Sequence, residues 1–123
     1  MDKDALILEI GRLLVADRKV AAQPWDRYAL VAWHGEGTST LNGFRYLGDQ
    51  PGQPATPESL EIEDLLDALR EATRVEGRAP WRACVVRLDK VAGKATAEFA
   101  YEDADAWRVT PASAAEVARR ARP

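Results

Sequence analysis

Apolar positions along the chain switch between a helical and an extended period. Over residues 3–19, Leu6, Ile7, Ile10, Leu13 and Leu14 fall on one face of a helix, the spacing of an amphipathic segment. Asp2 or Asp4 suits the cap at its start. Gly11 in mid-helix costs roughly 1 kcal/mol against Ala and points to close packing there. "QPWDR" at 23–27 ends the pattern. From Arg27 the period is two. Tyr28, Leu30 and Ala32 alternate with Ala29, Val31 and Trp33, and Thr38 to Leu47 returns as the second arm of a hairpin. Gly35 and Gly37 supply the turn, because glycine reaches positive φ cheaply. Gly43 marks a candidate bulge.

A Pro/Gly loop over 48–57 leads to a second helix that Thr56 and Pro57 open, the first as cap and the second in the opening turn. This helix is expected over 59–76, with Ile62, Leu65, Leu66 and Leu69 buried, until Gly77 and Pro80 stop it. Residues 81–89 and 94–102 alternate again around the turn "DKVAGK". Thr110-Pro111 then starts a last helix with a thin stripe of Ala114, Val117, Ala118 and Ala121. The expected order is α-β-β-α-β-β-α. It implies an α+β fold: a four-stranded antiparallel sheet with helices packed mainly on one face.

At 123 residues the chain fits one domain spanning 1–123. No apolar run reaches the ~18 residues of a membrane span. "MDKDALILEI" lacks the basic start of a secretory signal, so no membrane contact and a cytoplasmic location are expected. One cysteine, Cys84, and one histidine, His34, rule out an internal disulfide, Cys-rich zinc sites and His-pair metal motifs. Cys84 lies among valines, where a cysteine acts as a small hydrophobe. His34 borders a glycine turn and reads as a solvated tip. Glu102, Asp103 and Asp105 lack the Gly and the bidentate Glu of a calcium loop. No metal, cofactor or catalytic residue is therefore expected. A net charge of −3 and scattered arginines give no nucleic-acid surface.

The second helix is different. From Glu58 to Glu71 there are six acids and one base, Arg70. Helical spacing sets Glu63, Asp64, Asp67 and Glu71 opposite the leucine stripe. A charged helix face is ordinarily just solvated. The same face also suits electrostatic docking of a basic protein, raising association rate and specificity.

Pro80-Trp81, the alternating strand after it, a short turn, "AEFAYED" and the downstream Trp107 resemble the YezG-like antitoxins over residues 79–107. These are small α+β immunity proteins, found beside secreted bacterial toxins, which they neutralise by direct binding. The resemblance implies a non-catalytic protein whose partner is a cognate toxin domain of basic character. Together with the helix charges, it makes Glu63, Asp67, Glu102, Asp103, Asp105 and Trp107 the candidate contacts. Trp81, Phe99 and Tyr101 remain open between core and interface. Two other classes stay in view. A secretion-type chaperone needs an exposed apolar groove and a dimer-forming element; a small enzyme needs a pocket with perturbed groups.

Overall fold

The computed structural model describes residues 1–123. Its elements in order are α1 (Lys3–Ala16), β1 (Arg27–Gly35), β2 (Thr38–Tyr46), β3 (Gln53–Pro54), α2 (Glu61–Ala72), β4 (Ala83–Asp89), β5 (Lys94–Ala100) and α3 (Ala114–Ala121). Short 3-10 helices cover Val20–Ala22 and Ala104–Trp107. No helix is long and apolar enough to cross a membrane.

The α+β class is as expected, but the sheet has five strands, not four, in the order β3-β2-β1-β4-β5, all antiparallel. The extra strand is a two-residue piece of the Pro/Gly loop, pairing Pro54 with Phe44 and Gln53 with Arg45. Proline is tolerated there because an edge strand leaves one row of N–H groups unused.

Two of the three helices share one face, as expected, and the third covers the other. α1 and α2 cover the side carrying Tyr28, Leu30, Ala32, Cys84, Val86 and Leu88. α3 and the 104–107 turn cover the other, over Ala29, Val31, Trp33, Ala83 and Val85. The reason lies in β1 and β4, whose two alternating sets are both apolar. A strand buried on both faces reads as a continuous apolar run, and "YALVAW" and "ACVV" are such runs.

α3 has too thin an apolar stripe to hold itself down, and polar clamps help to fix it. The Tyr46 hydroxyl donates to the Ala118 carbonyl at 2.6 Å, and Arg87 Nε donates to the Ala121 carbonyl at 2.9 Å. On the opposite face the Tyr28 hydroxyl donates to the Ala55 carbonyl at 2.6 Å. It reaches that carbonyl by passing over Gly43. Position 43 keeps regular register opposite Leu30, so it is no bulge. A methyl group there would strike the Tyr28 hydroxyl and come within 2.6 Å of the Ala55 carbonyl. Gly11 does pack closely, with Leu88 Cδ2 only 3.2 Å from where its side chain would be.

Asp2 caps α1 by accepting from the Ala5 amide at 2.8 Å. α1 stops at Ala16, earlier than its periodicity suggests, because Asp17 turns extended (φ −72, ψ 131). The Asp17 carboxylate, 6% exposed, then accepts four amides. Oδ1 takes Lys19 N at 2.9 Å and Val20 N at 3.2 Å. Oδ2 takes Glu58 N at 2.8 Å and Ser59 N at 2.9 Å, in the chain leading into α2. Thr56 is not the cap of α2; its hydroxyl accepts from the Gly43 amide at 3.3 Å. α2 starts at Glu61 and ends at Ala72, where the Thr73 hydroxyl donates back to the Leu69 carbonyl at 2.8 Å.

Removing the Asp17 carboxylate leaves these amides without partners, and a buried unsatisfied group costs roughly 1–3 kcal/mol. Asp17→Ala is expected to lower stability by on the order of 3 kcal/mol in urea unfolding, with Asp17→Asn between it and wild type because one carbonyl oxygen remains. A loss below about 1 kcal/mol for Asp17→Ala would show the four bonds to be replaceable by water.

Candidate functional site

One end of the sheet gathers most of the polar chemistry. β1 and β4 meet there at His34 and Arg82, the His34 amide donating to the Arg82 carbonyl at 2.7 Å. The His34 ring stands edge-on to Trp81 at 5.5 Å, and Trp81 stacks on Phe99 at 5.8 Å. Trp81 is fully buried, while Phe99 and Tyr101 are half-buried. Trp81 is therefore core, and the other two form its margin. Its indole N–H donates to the Thr73 hydroxyl at 2.9 Å, and its carbonyl accepts from Arg70 Nε at 2.8 Å. These bonds fix the end of α2 against the start of β4. Arg78 lies over the Tyr101 ring at 3.8 Å.

Two recesses meet at His34. A cleft of about 140 Å³ runs between α2 and the first hairpin, with Glu63 and Asp67 on one wall and Ser39, Thr40 and Leu41 on the other. A wholly polar recess of about 490 Å³ lies beside it, bounded by Thr38, Ser39, Arg70 and Arg82. Burial and then the Arg70 charge hold the His34 imidazole below its usual pKa, with Asp67 pulling the other way. The ring is therefore kept neutral, and it sits opposite Ser39 in the β1–β2 register without a hydrogen bond to that hydroxyl.

Cys84 is placed for packing. It is fully buried beneath α1 and α2, and burial pushes its thiol up to about 12, with Glu98 adding to the rise. A thiolate nucleophile requires the opposite environment. No group of three or more His, Cys, Asp or Glu side chains is arranged to hold a metal ion.

The expected contact residues separate into three sets. Glu63 and Asp67 stand together, exposed, on the cleft wall. Glu102 and Asp103 are exposed just beyond β5. Asp105 and Trp107 both make contacts within the chain, Asp105 while its side chain stays exposed. Asp105 Oδ1 accepts from Arg82 Nη2 at 2.7 Å and from the Trp33 indole at 3.3 Å, which ties the 104–107 turn to β1 and β4. Trp107 is only 5% exposed and lies in the core under α3, with Arg120 over its ring at 4.7 Å. It is a packing residue, not a surface anchor.

His34 is also not a solvated tip. It continues the inward Tyr28–Leu30–Ala32 alternation by one step, a signal present in the sequence. Arg70 and Arg82 were not singled out by sequence, because their roles depend on a carbonyl and a carboxylate from distant segments. No protein-family model matches the chain, and no curated protein sequence matches it.

A histidine with a lowered folded-state pKa binds fewer protons than the unfolded chain between that value and about 6.5, so its contribution to stability rises with pH across that window. Wild type is expected to lose more melting temperature than His34→Gln as pH falls from 7.5 to 5; equal losses would place the imidazole in an ordinary aqueous setting. Cys84 is expected to resist a thiol-specific disulfide reagent in the native state and to react fully in denaturant. Rapid native-state labelling would contradict its burial.

Proposed function

We propose that this protein is a non-catalytic immunity protein that acts in the cytoplasm and neutralises a cognate bacterial toxin domain by direct binding. The observation that carries this reading is the charge left free on α2. Most of the chain's ion pairs use arginines away from this helix, as in Arg27–Asp89, Arg82–Asp105 and Arg87–Glu98. On α2 only Glu71 is paired, with Arg74. Glu61, Glu63, Asp64 and Asp67 are exposed acids without an ion-pair partner.

The helix that presents them is firmly held. Ile62, Leu66 and Leu69 are buried beneath it. Asp17 holds the chain at its entry, and the Arg70–Trp81 bond holds its end. A pre-organised charged face loses little freedom on binding and steers an oppositely charged partner. Glu102 and Asp103 are a second, separate pair of exposed acids past β5. A basic toxin domain is the partner that such a surface fits.

A second reading, a chaperone for an effector segment, is favoured by one observation. An apolar groove of about 500 Å³ lies on α1, lined by Leu8, Val15, Trp25 and Leu88 among others.

The test is association kinetics against the toxin domain encoded beside this protein's gene, at low and high salt. Steered association is expected to slow as the Debye length falls from ~10 Å at 0.1 M to ~3 Å at 1 M. Glu63→Lys with Asp67→Lys is expected to slow association about tenfold or more at low salt, and Glu102→Lys with Asp103→Lys to add to the effect. Failure to bind that domain would overturn the immunity reading. Binding indifferent to salt and to both pairs of reversals would remove the acidic surface from it.

A further inference from the structure

The two edges of the sheet are built differently. β3 is two residues long and ends in Pro54, so it gives little for another strand to pair with. β5 is seven residues long and contains no proline. Natural sheets usually protect such an edge, because its unpaired N–H and C=O groups are a template for another strand.

The register shows which groups are free. In an antiparallel strand the N–H and C=O groups of one residue point to the same side, and successive residues alternate. The His34 amide bonds the Arg82 carbonyl at one end and the Lys90 amide bonds the Asp26 carbonyl at the other, so Cys84, Val86 and Leu88 between them face β1, while the Arg82 amide itself turns to the Ala100 carbonyl. Ala83, Val85, Arg87 and Asp89 then face β5, where they are opposite Ala100, Glu98, Thr96 and Lys94. That leaves the N–H and C=O groups of Ala95, Ala97 and Phe99 pointing outward, and β5 has no strand neighbour on that side.

We propose that β5 pairs antiparallel with β5 of a second copy of this chain, with Thr96 on the two-fold axis. The charges select both the occupant and the register. With Thr96 opposite itself, Lys94 of each copy faces Glu98 of the other, and Ala95 faces Ala97. The outward groups of Ala95 and Ala97 then bond one another, and the Lys94–Glu98 positions become non-hydrogen-bonded pairs, where side chains lie closest. A slip of two residues puts Lys94 opposite Ala100 or Thr96 and loses both charge pairs. Lys94 has no ion pair within the chain. Glu98 accepts Arg87 through Oε1 and keeps Oε2 for the second copy.

The surroundings agree. A two-fold axis perpendicular to the sheet keeps each face with itself, so α1 of one copy and α1 of the other lie on the same side of the junction. Leu8 (63% exposed) and Val15 (51% exposed) stand on α1 along the apolar groove that reaches Ala95 and Leu88. The second copy gives these side chains apolar cover. This interface is independent of the toxin reading and involves neither Glu63 nor Asp67.

The experiment is the mass of the intact purified chain in solution, by sedimentation from micromolar to millimolar concentration. A concentration-dependent dimer is expected. Ala97→Pro removes an N–H that β4 does not use, so it is expected to weaken the dimer at least about tenfold while the monomer keeps its circular dichroism spectrum. Lys94→Glu leaves the backbone untouched and is expected to weaken dimerisation as well. Lys94→Glu with Glu98→Lys is expected to restore it, and this pair decides the question if the proline variant misfolds. A monomer at every concentration overturns the proposal and leaves the edge to a strand from another protein or to water. A dimer equally tight in Ala97→Pro and Lys94→Glu also overturns it.

Discussion

The Asp17 carboxylate joins parts of the molecule that nothing else joins so directly. It ends α1, shapes the turn into Val20 and holds the amides of Glu58 and Ser59. Beside it, Arg45 of β2 donates to the carbonyls of Lys19 and Val20 at 3.0 and 3.2 Å. The crossing of the two helices over the sheet is thereby fixed at one buried polar point. Hydrophobic burial drives α1 and α2 onto the sheet, but it is non-directional. Directional bonds to a charged acceptor set where along the sheet each helix starts and stops. The placement of the α2 acids depends on that setting.

The other face relies on the same division of labour with weaker apolar material. α3 offers mainly alanines and one valine, and Tyr46 and Arg87 hold its last carbonyls. Burial pushes the Tyr46 hydroxyl up to about 12, so it stays a donor under ordinary conditions. Two residues after β5, Asp105 and Trp107, belong to this system. Asp105 Oδ1 holds Trp33 and Arg82 from an exposed side chain, and Trp107 fills the space under α3.

Periodicity made the three helices and the two hairpins legible, along with the α+β class. What it could not show was any feature decided by a distant partner. β3 is defined by backbone pairing of two residues, one of them proline, and no side-chain pattern marks it. Thr56-Pro57 has the composition of a helix start, but Asp17, some forty residues earlier, holds the entry amides and Thr56 turns to Gly43. The two-sided sheet was readable in principle: "YALVAW" leaves β1 no polar face. In the site, helical spacing was enough to set Glu63 and Asp67 side by side. Asp105 looked like its neighbours Glu102 and Asp103 because only the folded chain brings Arg82 and Trp33 to it.

The sheet's central seam has a consequence during synthesis. β1 pairs with β4 from Arg27–Asp89 to Trp33–Ala83, joining residues as much as 62 apart. Until residue 89 has left the ribosome, β1 has β2 on one side and an open backbone on the other. Both of its side-chain sets are apolar, and α3, the cover for one of them, emerges only after β4 and β5. The nascent chain therefore carries a half-built sheet with an exposed apolar strand from the emergence of β2 until that of β4. For this protein the most vulnerable interval is the one before β4 and α3 have emerged to cover β1.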